Sequence, residues 1–433
     1  MSQMFLIAFR NLIQHSKRTL LLGGAIAGVT ALLVFLLCLS SGVHSTMLES
    51  ATTLMTGHIN VGGFYKVTAG QSAPLVTGYD KINKIVHDTL PDIDYVAVRG
   101  RGWARMVSDA ASIQAAIGGI DITKEPGFRR VVQTLSGNID DLAQPNTILL
   151  FKEQAKKLEV KVGDNLVLSV LTARGVNNTI DLRVVAIAEE MGVLSTFNVF
   201  IPEPSLRKLY QLNDDATGAL FIYLKDMTRI PQDMGLLRKA LEGAGYPVMD
   251  SVSKPFWEKL DSVKREDWTG QKLDLTTWED ELTFIRWAVT AVDGLMYILT
   301  VVLLIIIAIG IMNSMWIAIR ERTREIGTLR AIGMQRRRVL VMFVIEAFTL
   351  GSLGTIAGAI IGLIVALALN AAHVPVPAGA RMFLMAANLK MTFEVTRVMG
   401  GMFVIISCTT LISIIPSFYA ARLKPITAMQ HIG

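Results

Sequence analysis

GLMYILTVVLLIIIAIGIMNSMWIAIRERTREIGTLRAIGMQRRR, residues 294–338, decides the fold. Positions 294–319 contain no Asp, Glu, Lys, Arg or His, and a run of about 20 apolar residues rising ~1.5 Å each crosses the ~30 Å hydrocarbon core of a bilayer. The stretch then changes character at once: Arg320, Arg322, Arg324, Arg330, Arg336, Arg337 and Arg338 stand against Glu321 and Glu325. A spanning helix running into a short cationic connector is the repeating unit of a polytopic membrane protein, and the positive-inside rule puts that connector in the cytosol.

Working outward, residues 19–43 and 398–421 are likewise free of charge, and residues 339–372 carry only Glu346. Of the 433 residues 52% are hydrophobic and 18% charged, with mean hydropathy +0.46, whereas a soluble domain carries roughly 25% charge. Transmembrane helices are therefore expected at 19–43, 284–319, 339–372 and 398–421. The first apolar run exceeds the 7–15 residues usual in a signal peptide and no A-x-A site follows promptly, so it reads as a retained anchor. Ahead of it Phe5, Ala8, Phe9, Leu12 and Ile13 alternate with Arg10, Asn11, Gln14, Lys17 and Arg18 in the pattern of an interfacial elbow helix over 1–18, or else of a plain cytosolic extension of the first span.

Between the first two spans, residues 44–283 hold 26 basic and 31 acidic residues, net −5, so the net +6 of the chain arises from a membrane part of net +11. That division separates a 240-residue ectodomain, large enough to bury its own core in one or two lobes. The basic balance suits anionic lipid headgroups rather than nucleic acid. With the 320–338 connector inside, both termini (1–18 and the 422–433 tail) face the cytosol, and the ectodomain and the short 373–397 loop lie in the periplasm. Both cysteines, Cys38 and Cys408, fall in the spans, so the ectodomain needs no disulfide.

The ectodomain reads as mixed α+β. Strands are expected at Ile59–Val61, Tyr95–Val98, Thr147–Phe151, Leu166–Leu171, Ile180–Ile187 and Ala219–Leu224, with a hairpin turn at Arg174–Asn178. Helical periods run over Lys81–Leu90, Lys152–Leu158, Pro204–Leu212 and Met234–Ala244. Ser45–Met55 and Phe256–Trp287 read as helical stalks extending the first two spans, with Gly270 a point of interruption. The fold class is thus an α-helical membrane domain of four transmembrane helices plus a large mixed α+β periplasmic ectodomain on helical stalks.

Catalytic signals are absent from these residues: no Gly-Lys pair and so no phosphate loop, no H-E-x-x-H, no G-x-S-x-G, and six scattered histidines without metal-ligand spacing. The chain reads as non-enzymatic, with no cofactor or metal of its own. On a helix beginning near Arg322, Ile326, Leu329 and Ile332 or Gly333 share one face. Either a partner protein covers that face, or the arginines only hold the loop inside while Ile326 and Leu329 rest on lipid. In the third span Gly354, Gly358 and Gly362 form a small-xxx-small ridge, and Glu346 is expected to snorkel or pair with a basic side chain.

Asn313, then Glu321, Arg322, Glu325, Ile326, Gly327, Leu329, Arg330, Ala331, Ile332 and Gly333, then Glu346 and the glycines Gly351, Gly354, Gly358 and Gly362 follow in the order N, E-R-x-x-E-I-G-x-L-R-A-I-G, E, glycine-rich span. This resembles the FtsX/MacB-type ABC transporter permeases, a group that includes macrolide exporters and the lipoprotein-releasing LolC and LolE. The closing Pro416, Ala420, Ala421, Arg422, Leu423, Pro425 and the stretches Ala8–Leu12 and Gly57–Val61 resemble the family too. The resemblance implies that 321–333 is a coupling helix seated on a cytosolic ABC ATPase subunit dimer, which carries the ATP and Mg. It further implies a second permease copy or paralogue, a periplasmic adaptor or lipoprotein carrier, and location in a bacterial inner membrane. The implied function is mechanotransmission from a separate ATPase to the ectodomain, for lipoprotein release or transport of amphipathic substrates. MacB-like efflux and FtsX-like signalling to a cell-wall hydrolase are the alternatives, and an ion-driven transporter is disfavoured by the single carboxylate within the spans and the lack of an inverted repeat.

Overall fold

The computed structural model describes residues 14, 16–68, 71–172, 175–385 and 388–423. The elbow-helix reading, the Ala8–Leu12 stretch and Pro425 lie outside the described residues. Two compact units result: residues up to Ser45 with Thr290–Val374 and the part from Leu389 on, and a second made of Thr46–Val289 with Pro375–Asn388.

Among the described residues four helices are long and apolar enough to cross a membrane: Ser16–Met55, Thr283–Glu321, Arg336–Ala371 and Val395–Arg422. With lipid as solvent the hydrophobic effect does not draw helices together, so close backbone contact and hydrogen bonding must. The third helix supplies the contact. A Cβ placed on Gly358 would lie 2.4 Å from the Ala27 carbonyl oxygen, on Gly362 2.6 Å from that of Ala31, and on Gly354 3.0 Å from Ile26. Its fellow Gly351 faces the fourth helix, where a Cβ would meet the Thr409 hydroxyl at 2.5 Å. Hydroxyls inside the helices return to their own backbone, as Thr30 Oγ1 does to the Ile26 carbonyl (2.8 Å) and Ser417 Oγ to that of Ser413 (2.6 Å) beside Pro416. No polar group then needs a lipid partner at those positions.

In the second unit the strands, in chain order, are β1 (Ile59–Thr68), β2 (Gln71–Ala73), β3 (Val76–Thr77), β4 (Ile93–Val107), β5 (Ser112–Ile120), β6 (Thr134–Gly137), β7 (Thr147–Phe151), β8 (Asn165–Leu171), β9 (Asn177–Ala188), β10 (Asn198–Pro202), β11 (Ala216–Thr217), β12 (Ala219–Leu224) and β13 (Gly270–Thr277). The main sheet runs β13-β1-β12-β4-β5-β10-β7-β9-β6, with β2 added on β1 and β8 bridging β4 and β9. The long strand β4 joins two lobes. Its first half, up to Arg99, pairs antiparallel with β12, and from Gly100 onward it pairs with β5.

Each lobe buries its own core. In the first, Ile59, Val61, Leu220, Ile222, Leu273 and Leu275 pack beneath helices Tyr79–Thr89 and Ile230–Gly243. In the second, Met106, Ile117, Leu150, Leu168, Val184 and Ile201 pack with Leu206 and Leu209 of helix Glu203–Tyr210. The Gly57–Val61 stretch is the joint where the first long helix becomes β1. Ile59 and Val61 enter the core, Gly57 N donates to Asn60 Oδ1 (2.7 Å), and His58 Nδ1 accepts from Leu224 N (3.0 Å).

One expected element is corrected. Phe256–Trp287 is not a helical stalk: helix Phe256–Arg265 ends, β13 pairs along its whole length with β1 from Ile59 to Lys66, and the long helix starts only at Thr283. Gln271-Lys272-Leu273-Asp274-Leu275-Thr276 alternates with period two, and burial of Leu273 and Leu275 beside β1 outweighs the helical spacing of the residues before it. The 373–397 segment also divides, since Pro375–Asn388 belongs to the second unit, where Arg381 Nη1 lies 3.6 Å from Glu189 and Met385 is buried.

Candidate coupling element

The second long helix breaks at Arg322, whose φ −104° and ψ 13° leave helical space, and a new helix runs Thr323–Ala331. It ends in a turn at Gly333, whose φ of +104° is a conformation that only glycine adopts without strain. There Gly333 N donates to the Arg330 carbonyl (3.2 Å) and Met334 N to that of Leu329 (3.0 Å), and the third long helix begins at Arg336.

The residues read as one coupling surface separate into two sets. Arg322, Ile326 and Gly327 are buried. Arg322 Nη1 donates to Glu346 Oε2 at 3.0 Å and its Nε to Glu325 Oε2 at 3.0 Å, while its guanidinium carbon stands 5.5 Å from the Phe343 ring centroid. Ile326 packs with Ile319, Val339, Met342, Phe343, Ala420 and Ala421. Glu321, Arg324, Glu325, Ala331, Ile332 and Gly333 are exposed, Leu329 and Arg330 half-buried, and Asn313 is exposed further up the helix. The expected continuous apolar face is therefore corrected: its Ile326 end is covered by this chain's own helices, and Ile332, 80% exposed, is the large apolar side chain left open.

Glu346 does find a basic partner, and the partner is Arg322 rather than one of the Arg336–Arg338 cluster. A carboxylate and a guanidinium buried together and hydrogen-bonded are far better placed than either alone. A lone Glu in an otherwise uncharged span was the legible signal; the break at Arg322 that turns its side chain toward that Glu was not.

In the second unit several buried polar and charged side chains meet at the junction of the lobes. Arg99 is buried, with Nε 2.9 Å from Glu125 Oε2, Nη2 on the same carboxylate, and Nη1 donating to the Leu54 carbonyl (3.2 Å). Glu203 accepts from Gly100 N (2.6 Å) and from Thr217 Oγ1 (3.2 Å), and burial pushes its carboxyl up to about 7 although Arg207 opposes the shift. Tyr210 clamps the neighbouring strand, its hydroxyl accepting from Trp103 N and donating to the Trp103 carbonyl, both at 2.8 Å.

Residues 297–425 match the family described as FtsX-like permease C-terminal. A "Macrolide export ATP-binding/permease protein MacB" of Campylobacter jejuni is 25% identical over 443 aligned positions, covering 98% of this chain and 61% of that protein. A MacB of Nitrobacter winogradskyi is 33% identical over 123 positions, 28% of this chain and 17% of that protein. The periplasmic region of MacB from Actinobacillus actinomycetemcomitans superposes with TM-score 0.32 and 15% identity, over 46% of this chain and 89% of that one. Residues 297–425 thus carry an FtsX-like permease C-terminal domain, in a chain that resembles the MacB-type ABC permeases and has, among the described residues, four helices long and apolar enough to cross a membrane and a large mixed α/β domain. The chain spans about three fifths of the length of that Campylobacter jejuni MacB protein.

Proposed function

We propose that this permease works with a separate ABC ATPase as a mechanotransmission subunit, carrying motion from a cytosolic contact at 321–333 to a periplasmic ectodomain, and that both termini are cytosolic. The observation that carries the reading is the two-sided helix Thr323–Ala331: one side is bonded to the third long helix through Arg322 and Glu346, and the other ends in the exposed Ile332. A helix so attached transmits a push rather than absorbing it. Contact with the ATPase falls on Glu321, Arg324, Glu325, Ala331, Ile332 and Gly333, while Arg322, Ile326 and Gly327 anchor the helix. The functional unit pairs this chain with a second copy or a paralogue.

The substrate is a lipidated or amphipathic molecule taken at the outer face of the inner membrane, in the manner of lipoprotein release. MacB-like efflux is the second reading, favoured by the similarity of 98% of this chain to part of a protein named for macrolide export.

Ile332→Asp is expected to cut stimulation of the partner's ATP hydrolysis about tenfold with the protein still inserted, since a charge replaces the apolar tip. Unaltered stimulation and ATPase binding would remove the coupling assignment. Single cysteines at Asp109 and Gln335, in a background lacking Cys38 and Cys408, test sidedness: an impermeant thiol reagent added outside is expected to label position 109 and spare 335, and the reverse pattern inverts the topology. Depletion separates the substrates, because stranded lipoproteins support release whereas normal sorting with raised sensitivity to amphipathic toxins supports efflux.

A further inference from the structure

At the junction of the two ectodomain lobes lies a cavity of about 240 Å³. Its walls are mainly apolar and aromatic, with Phe221, Phe256, Trp257 and the 57% exposed Trp103 among them. Strand β4 supplies Arg99, Arg101 and Trp103, and the paired position on β5 opposite Trp103 is Ala116, which also lines the space. For scale, an engineered apolar cavity of about 150 Å³ takes a benzene molecule. This one has room for a longer apolar body.

The two arginines differ in a way that bears on a ligand. Arg99 has its donors taken by Glu125 and the Leu54 carbonyl. Arg101 packs its guanidinium 3.7 Å from the Phe256 ring centroid, and its buried Nε has no hydrogen-bond partner among the described residues. Two acids, Asp274 and Glu281, act on Arg101 through their charge, but neither hydrogen-bonds to it. Asp274 takes Lys259 Nζ at 2.8 and 2.9 Å, and Glu281 accepts from Thr276 Oγ1 (2.9 Å) and Phe256 N (3.3 Å). A buried N–H without an acceptor is costly, and an entering carboxylate that hydrogen-bonds to this guanidinium offsets that cost.

We propose that this cavity is a binding site for an amphipathic monoanion, its carboxylate on Arg101 and its acyl or aryl body against Phe221, Phe256 and Trp257. The site deepens the reading that this permease handles amphipathic substrates and rests on it only for its meaning. Binding itself requires neither nucleotide nor ATPase.

The test uses the full chain in lipid nanodiscs and a diazirine-bearing decanoic acid, crosslinked by light and mapped by peptide mass spectrometry, with no ATPase or nucleotide present. Label is expected on the β4–β5 peptides and on the peptide holding Phe256 and Trp257. Excess decanoate is expected to compete at least about tenfold better than decyltrimethylammonium, the ratio that a charge-assisted hydrogen bond of about 1.5–3 kcal/mol supports. Ala116→Trp, which fills the space, abolishes that labelling; Arg101→Met lowers it about tenfold, and Arg101→Lys restores part of it. Labelling confined to the membrane helices, labelling of the cavity peptides that survives Ala116→Trp, or equal competition by the cationic amphiphile overturns the proposal. The competition requires no variant, so a misfolded mutant does not protect the idea. Failure here leaves the coupling reading standing, because that reading is tested by ATP hydrolysis.

Discussion

Arg99 in the α/β domain and Arg322 beside the third long helix are both buried cations held by a carboxylate, yet they are built for different ends. Around Arg99 every partner is also buried: Glu125 is 1% exposed, and the Phe128, Phe200 and Phe221 ring centroids stand 5.5 to 5.8 Å from the guanidinium carbon. Arg322 divides its bonds between Glu346, with 6% of its side chain exposed, and Glu325, with 60%. The first arrangement has no exit and locks the junction of two lobes. In the second, one of the two bonds reaches the surface of a helix that a partner is proposed to touch, so a contact there can be felt at Glu346.

The largest effect that would break this contrast is expected from Glu125→Leu, which leaves Arg99 buried with one carbonyl partner. A cost of about 3–5 kcal/mol is expected, read as lost hydrogen-exchange protection along Ile93–Val107. Little change in that protection would show that the aromatic rings suffice. Glu346→Leu is expected to cost less, about 2–3 kcal/mol, because Glu325 retains Arg322. Combining it with Glu325→Gln in a double-mutant cycle sharpens the comparison: a coupling near zero means that the two carboxylates do not share the cation.

A smaller, pH-dependent effect belongs to Glu203. Its carboxyl is raised to about 7 by burial, so its contribution is whole below the ordinary carboxylate range and is lost as the pH rises through about 7. Ectodomain stability is expected to fall by on the order of 2 kcal/mol between about pH 5 and pH 8 through this group. Glu203→Gln should flatten that slope, and equal slopes in both proteins would clear Glu203 of the effect.

Much of the membrane part was legible because its signal is additive along the chain: a run without charge is a span whatever surrounds it. The six strands read from sequence lie within β1, β4, β7, β8, β9 and β12. The strands passed over are of another kind. Residues 99–107, RGRGWARMV, place arginines and glycines where a strand is expected to show alternating apolar residues, because one face of β4 meets helix Glu203–Tyr210 and the other lines the cavity. β5 resembles it, with Gly118 and Gly119 in place of larger residues. β13 carried a period-two pattern that was outweighed by helical spacing on either side.

What the sequence by itself determined is therefore what local chemistry decides: four apolar helices, the cationic connector, and the small residues of the third span, whose spacing by four puts them on one helix face. Only the tertiary structure decided which charges meet. Arg322 and Glu346 are separated by a helix break and a left-handed glycine turn, and Arg99 and Arg101 stand two residues apart with different partners, one bonded to a carboxylate 26 residues on and one stacked on the Phe256 ring. Spacing along a chain fixes neighbours within an element; the partner of a buried charge depends on how elements pack, because the energy of that pairing exists only once water has been excluded from both sides.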